Sequence, residues 1–133
     1  MCKAMRDRRR VLAAPLVALA LASCATEANR LDAAKVVTGV EIAPYAIYQE
    51  CIELQPGERI GYRFNVEPQV AFNVQFHEAN AIILPVSVMR TGEEAGDFMA
   101  DRAQTYCLTW EAGPVAAILN YRLQRLPATP LGE

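Results

Sequence analysis

Histidine is all but missing from this 133-residue chain, with His77 standing alone, and serine occurs only at Ser23 and Ser87. A Ser-His-Asp arrangement would therefore have to bring His77 and Ser87 to one place and take its acid from elsewhere. A blue-copper site needs two histidines beside a cysteine, so a single histidine excludes it. No glycine-rich turn follows a strand and opens a helix, which removes the usual phosphate cradle. Long apolar runs are also lacking. The longest, Val11 to Ala22, has 12 residues, against the roughly 20 that carry a helix across a bilayer.

That short run has a distinctive setting. Lys3, Arg6, Arg8, Arg9 and Arg10 precede it, and Leu21-Ala22-Ser23-Cys24 closes it. A basic stretch, a short apolar core and small residues before a cut site are the parts of an export signal. Leu21-Ala22-Ser23-Cys24 resembles the lipobox of bacterial lipoproteins. The resemblance implies a signal peptide over 1–23, cleavage before Cys24 and a diacylglyceryl group on the Cys24 thiol. Ala25, where an aspartate would retain the protein at the inner membrane, implies an outer-membrane lipoprotein facing the periplasm. The plainer alternative is a secretory signal with an incidental cysteine. Met5 is an alternative start, and Arg8-Arg9-Arg10-Val11-Leu12 also resembles a twin-arginine signal, with the general secretory route as the default.

Cleavage would leave 110 residues, the size of one domain. The leader takes five of the 13 basic residues and one of the 15 acids, so the remainder holds 8 basic and 14 acidic residues, a net charge of −6. An acidic body without a basic stripe is unsuited to nucleic acid. Cys2 leaves with the leader and Cys24 is modified, which leaves Cys51 and Cys107. Disulfides persist outside the cytoplasm, and the even count points to a bond between these two within the β body. Two free buried thiols or two metal ligands are the alternatives. A bond would close a loop of 57 residues, worth on the order of 4 kcal/mol on the chain-entropy model.

The small, polar stretch over 24–34 reads as a tether. Beyond it the pattern is β throughout. Lys35 to Ile42 is rich in β-branched residues, and Tyr45 to Leu54 makes a second strand whose inward face the spacing leaves open. Gln55-Pro56-Gly57-Glu58 is a turn, with proline presetting φ and glycine allowing positive φ. IGYRFNVE puts Ile60, Tyr62, Phe64 and Val66 on one face, and VAFNVQFHE does the same with Val70, Phe72, Val74 and Phe76. Strict alternation of this kind marks half-buried antiparallel strands, here separated by Pro68-Gln69. Ala81 to Met89 is a strand that Pro85 confines to an edge or breaks. Arg90 to Asp97 reads as a polar, acidic loop. Tyr106, Leu108 and Trp110 alternate with Cys107 and Thr109, and Leu119, Tyr121 and Leu123 with Asn120, Arg122 and Gln124. Six to seven short strands with turns between them predict an all-β, antiparallel two-sheet β-sandwich, jelly-roll-like in class, over 35–126. The tail over 127–133 frays.

CIELQPGERIGYRFNV followed by YCLTWEAGPVAAILNYRL resembles the GOLD domain, the small β-sandwich of transmembrane cargo receptors in the early secretory pathway. The matching positions are Cys51, Glu53, Gly57, Tyr106, Cys107, Trp110 and Tyr121. The resemblance implies a GOLD-like sandwich and carries over the receptors' disulfide to Cys51–Cys107. Glu111 departs from the asparagine the family usually has near the late aromatic. The receptors' membrane span, coiled coil and sorting tail have no counterpart in the sequence, so cargo sorting does not carry over.

Candidate chemistry is thin. His77 falls on the polar face of its strand. Met89 and Met99 suit gap-filling in a core or loop. Glu93, Glu94, Asp97 and Asp101 offer oxygen ligands in the acidic stretch, at a spacing that matches no calcium loop. Tyr106 and Trp110 are either a binding face or core. The expectation is a non-catalytic binding or interaction module of the bacterial cell envelope, without metal or cofactor, held to the membrane by lipid on Cys24 and meeting an envelope protein or lipid. The alternative is a small envelope enzyme or metal-binding carrier built on His77, Ser87 and the acidic loop.

Overall fold

A computed structural model describes residues 31–128; the leader, Cys24 and the rest of the segment before Leu31 lie outside the described residues. Six strands account for most of the body: β1 Lys35–Ile42, β2 Ile47–Leu54, β3 Arg59–Glu78, β4 Ala81–Met99, β5 Gln104–Glu111 and β6 Ala117–Leu126. All pairings are antiparallel, in the order β1-β6-β3-β5-β2, with β4 paired to β3 off this path. Among the described residues no helix is long and apolar enough to cross a membrane.

The long β3–β4 hairpin organises the fold. The alternating pattern of β3 is met as expected: Ile60, Phe64, Val66, Val70, Phe72, Val74 and Phe76 are all buried. Pro68 does not divide β3 into two strands, as the sequence suggested. Its peptide bond with Glu67 is cis, and the strand runs through it. What changes there is the neighbour. Arg59 to Glu67 pair with β6, whereas Ala71 to Gln75 pair with β5. The ladder to β4 skips from Asn65–Glu93 to Val70–Thr91 at the same place. A residue without an N–H is tolerated where a ladder is already interrupted.

The sheet curls about this point and brings the two halves of the hairpin together. Phe64 meets Phe72 with ring centroids 4.6 Å apart, and Phe98 and Phe76 both pack on Tyr106, at 4.9 and 5.3 Å. Past the end of β4, the Ala100 N–H donates to Glu58 O and Arg102 bonds the Glu78 carboxylate at 2.9 Å. The start of β3 and its far end are therefore joined through one short connection. Trp110, fully buried, sits in the middle against Phe64, Phe72, Tyr48 and Tyr121.

The stretch Arg90 to Asp97, expected to be a loop, is strand. It has little β propensity of its own, but it lies opposite the strongly patterned first half of β3, and pairing overrides propensity. Tyr62 faces Gly96 and covers it so closely that a Cβ there would stand 2.9 Å from the phenol oxygen. Pro85 lies on β4, which pairs only with β3, in keeping with its expected edge position. The turn at Gln55 to Glu58 forms as read, with Glu58 N–H donating to Gln55 O and Gly57 at φ +85°.

Candidate functional site

Cys51 and Cys107 are cross-strand partners on β2 and β5, with Cα atoms 4.0 Å apart, and form a disulfide. The bond lies on the outward face rather than inside the body. On β5 the neighbours Tyr106 and Leu108 point inward, and on β2 Ile52 does. Among the described residues no free cysteine remains.

The same alternation turns Tyr48 and Glu50 inward along with Ile52 and Leu54. Curling brings β2, at one end of the strand order, against β1 and β6 at the other. Lys35 of β1 reaches Glu50 Oε1 at 2.5 Å, and the Tyr121 hydroxyl of β6 donates to the same oxygen. The Tyr48 hydroxyl stands 2.8 Å from that of Tyr121 and donates to Glu50 Oε1 at 3.5 Å. Trp110 forms the floor, stacked on Tyr121 at 5.3 Å. Its indole N–H is buried and has no hydrogen-bond partner among the described residues.

This polar cluster has a definite electrostatic character. Burial pushes the Tyr121 phenol far above its ordinary range, and its hydrogen bonds to Glu50 and Tyr48 and the Glu50 charge act in the same direction. The hydroxyl keeps its proton and serves as a donor; it is not suited to moving a proton near neutral pH. The arrangement orders a carboxylate, an ammonium and two phenols over an aromatic floor, and it clasps the two ends of the sheet together.

The residues singled out in the sequence fall elsewhere. His77 is exposed near the hairpin turn, opposite Ile82. Ser87 is opposite Asn73, four positions along β3 from His77, a separation of about 13 Å. Glu93, Glu94 and Asp97 lie further along β4, opposite the first half of β3. Glu94 accepts from Thr91, Asp97 pairs with Arg59 at 3.3 Å, and Asp101 pairs with Arg102 at 3.3 Å. Among the described residues no three of His, Cys, Asp and Glu are grouped to hold a metal ion. Tyr106 and Trp110 are core residues, while Met89 and Met99 are exposed on β4 rather than filling gaps.

Sequence reasoning passed over Lys35, Tyr48 and Glu50. The available signal was the period of two in Tyr48-Glu50-Ile52-Leu54, which sets one charge in an otherwise apolar, inward series.

A second feature lies at the end of the body bearing the β1–β2 and β5–β6 turns. Tyr45, Val70, Met89, Pro114 and Val115 line an open groove of about 550 Å³, with Arg90 and Glu111 at its sides. Tyr45, Met89 and Val115 are largely exposed. The chain matches no family model and no curated protein.

Proposed function

We propose that this chain is a membrane-anchored periplasmic lipoprotein, tethered by acyl chains on Cys24, that acts as a non-catalytic binding module of the bacterial envelope. We read its curled sheet as a GOLD-like two-layer sandwich, with β1, β6 and the first half of β3 facing β2, β5 and the second half. The ring contacts of Phe64 with Phe72, and of Phe98 and Phe76 with Tyr106, support that layering. The Cys51–Cys107 pairing agrees with the GOLD resemblance.

The observation that carries the binding role is the groove at the Tyr45–Val115 end. Leu31, which leads back to Cys24, is bound to Arg125 at the opposite end. An anchor at Cys24 is therefore attached at the end away from the groove and leaves the groove open to an envelope protein. Its apolar floor suits an apolar segment of that protein, and Arg90 and Glu111 suit polar groups flanking it.

The test is site-specific photocrosslinking in cells. A photoreactive residue at Val115 should capture one discrete envelope protein, and the same residue at Arg122, on the outward face of β6, should not. Identical patterns at both positions would refute the groove as the docking surface. Cys24→Ser should release the protein from the membrane fraction and abolish incorporation of labelled palmitate. Retention of both would refute the anchor.

A further inference from the structure

The β3–β4 hairpin ends in apolar side chains that the described residues cover only in part. Ile82, Ile83 and Leu84 follow its turn on the edge strand and are 56%, 37% and 47% exposed. Successive strand residues point to opposite faces. The strip is therefore apolar on both faces of the hairpin, and a flat protein surface could cover only one of them. A fluid apolar medium covers both.

This tip stands at the end of the body where the chain enters. The Leu31 carbonyl accepts the Arg125 N–H, and Arg125 pairs with Ile60 at the start of β3. Glu58 O accepts the Ala100 N–H, and Arg102, two residues on, bonds Glu78. Glu78 is opposite Ala81, the residue before the strip. Exposed Met99 lies at this end too, opposite Arg59. Cys24 precedes Leu31 by seven residues, a reach of about 25 Å at full extension. Acids here are paired with arginines, Glu58 with Arg125, Asp97 with Arg59 and Glu78 with Arg102, which Asp101 shares. This pairing lessens, at this end, the repulsion from anionic headgroups that the acidic body as a whole would meet.

We propose that Ile82, Ile83 and Leu84 insert into the lipid surface that holds the Cys24 acyl chains. They form a second membrane contact that fixes the orientation of the body, apolar side chains entering the headgroup boundary as those of interfacial segments do. The inference rests on the lipid-anchor reading of Cys24.

The test uses the full mature chain, purified from membranes and reconstituted into phosphatidylethanolamine–phosphatidylglycerol vesicles with brominated acyl chains. Tryptophan is placed at the tip (Ile82→Trp) or in the distal groove (Val115→Trp), and the signal of Trp110 is subtracted with the parent chain. Both positions are exposed, so neither substitution disturbs the core. Bromine quenching should be about three-fold or more greater at the tip than at the groove. Intact mass reports the acyl group on Cys24 independently. An acylated chain with equal quenching at both positions overturns the tip contact and leaves the anchor standing. An unmodified Cys24 removes the anchor and this inference with it. A tip tryptophan shielded from brominated lipid and from a water-soluble quencher alike would assign the strip to a protein, a second copy included, and also overturn the proposal.

Discussion

Tyr121→Phe should make the fold less stable at neutral pH and less sensitive to alkali. The phenol is buried, stacked on Trp110 and donates to Glu50. Its pKa is raised, first by burial and then by those hydrogen bonds. Unfolding returns it to a value of about 10. Below that pH both states hold the proton and the phenol adds no pH dependence. Above it the unfolded chain loses the proton while the folded chain keeps it, so stability falls as pH rises, by up to about 1.4 kcal/mol per pH unit for each such phenol. Tyr62 and Tyr106 are raised as well: burial leads for both, with the charges of Glu94 and Asp97 next for Tyr62 and that of Asp101 for Tyr106. Both act in the same direction as Tyr121 until the pH reaches their own raised values, so stability falls above about pH 10. Phenylalanine keeps the ring and removes the hydroxyl. It should lose about 1.5–3 kcal/mol at pH 7, the usual worth of a hydrogen bond to a charged group, and lower the alkaline slope by up to about 1.4 kcal/mol per pH unit. The two stability curves then converge near pH 11.5. Urea unfolding at half-unit steps from pH 7 to 11.5, followed by Trp110 fluorescence, measures both quantities. Parallel curves above pH 10 would refute the assignment of a retained proton to Tyr121.

Replacing both Cys51 and Cys107 by alanine should lower stability by about 4 kcal/mol, because the bond closes a 57-residue loop in the unfolded chain. Far-UV circular dichroism should be unchanged, since the sulfurs lie outside the core, and a loss below about 1 kcal/mol in urea titration would contradict the chain-entropy account. Gly57→Ala should cost about 1–2 kcal/mol in the same titration, because φ is +85° there and a side chain is disfavoured in that region. Ala128 Cβ is 3.8 Å from the added methyl position, so crowding is not the cause.

Inward and outward faces were legible wherever apolar and polar residues alternated without interruption. IGYRFNVE and VAFNVQFHE announced the buried side of β3, and the late strands announced theirs. The extent of the strands was harder to read. Pro68 looks like a break because proline has no N–H, yet it stands where β3 changes partners and little ladder is left to lose. Arg90 to Asp97 looks like a loop because its strand character is imposed by Phe64, Tyr62 and Ile60 across the ladder. The Glu50 cluster was the least legible. Lys35, Glu50 and Tyr121 are scattered in sequence and meet only after the curl, a non-local event with no signature in any one segment.

That cluster also answers a question every open sheet poses. Strands with one unpaired side invite pairing with other chains, and inward-pointing charges are one way of discouraging it. β1 and β2 end the strand order, and each carries such a charge, Lys35 and Glu50. Satisfying one with the other closes the curl at the same time. The contact is not replaceable by any single apolar residue, because the partner would then be left charged and half-buried without a counterion. The remaining edge, β4, is protected differently. Pro85 and the register shift beside it interrupt the ladder, which leaves Ile82 to Leu84 as a short apolar tip, isolated from the rest of the edge. A strip too short to template a strand but apolar on both faces is suited to insertion in lipid rather than to pairing with another chain.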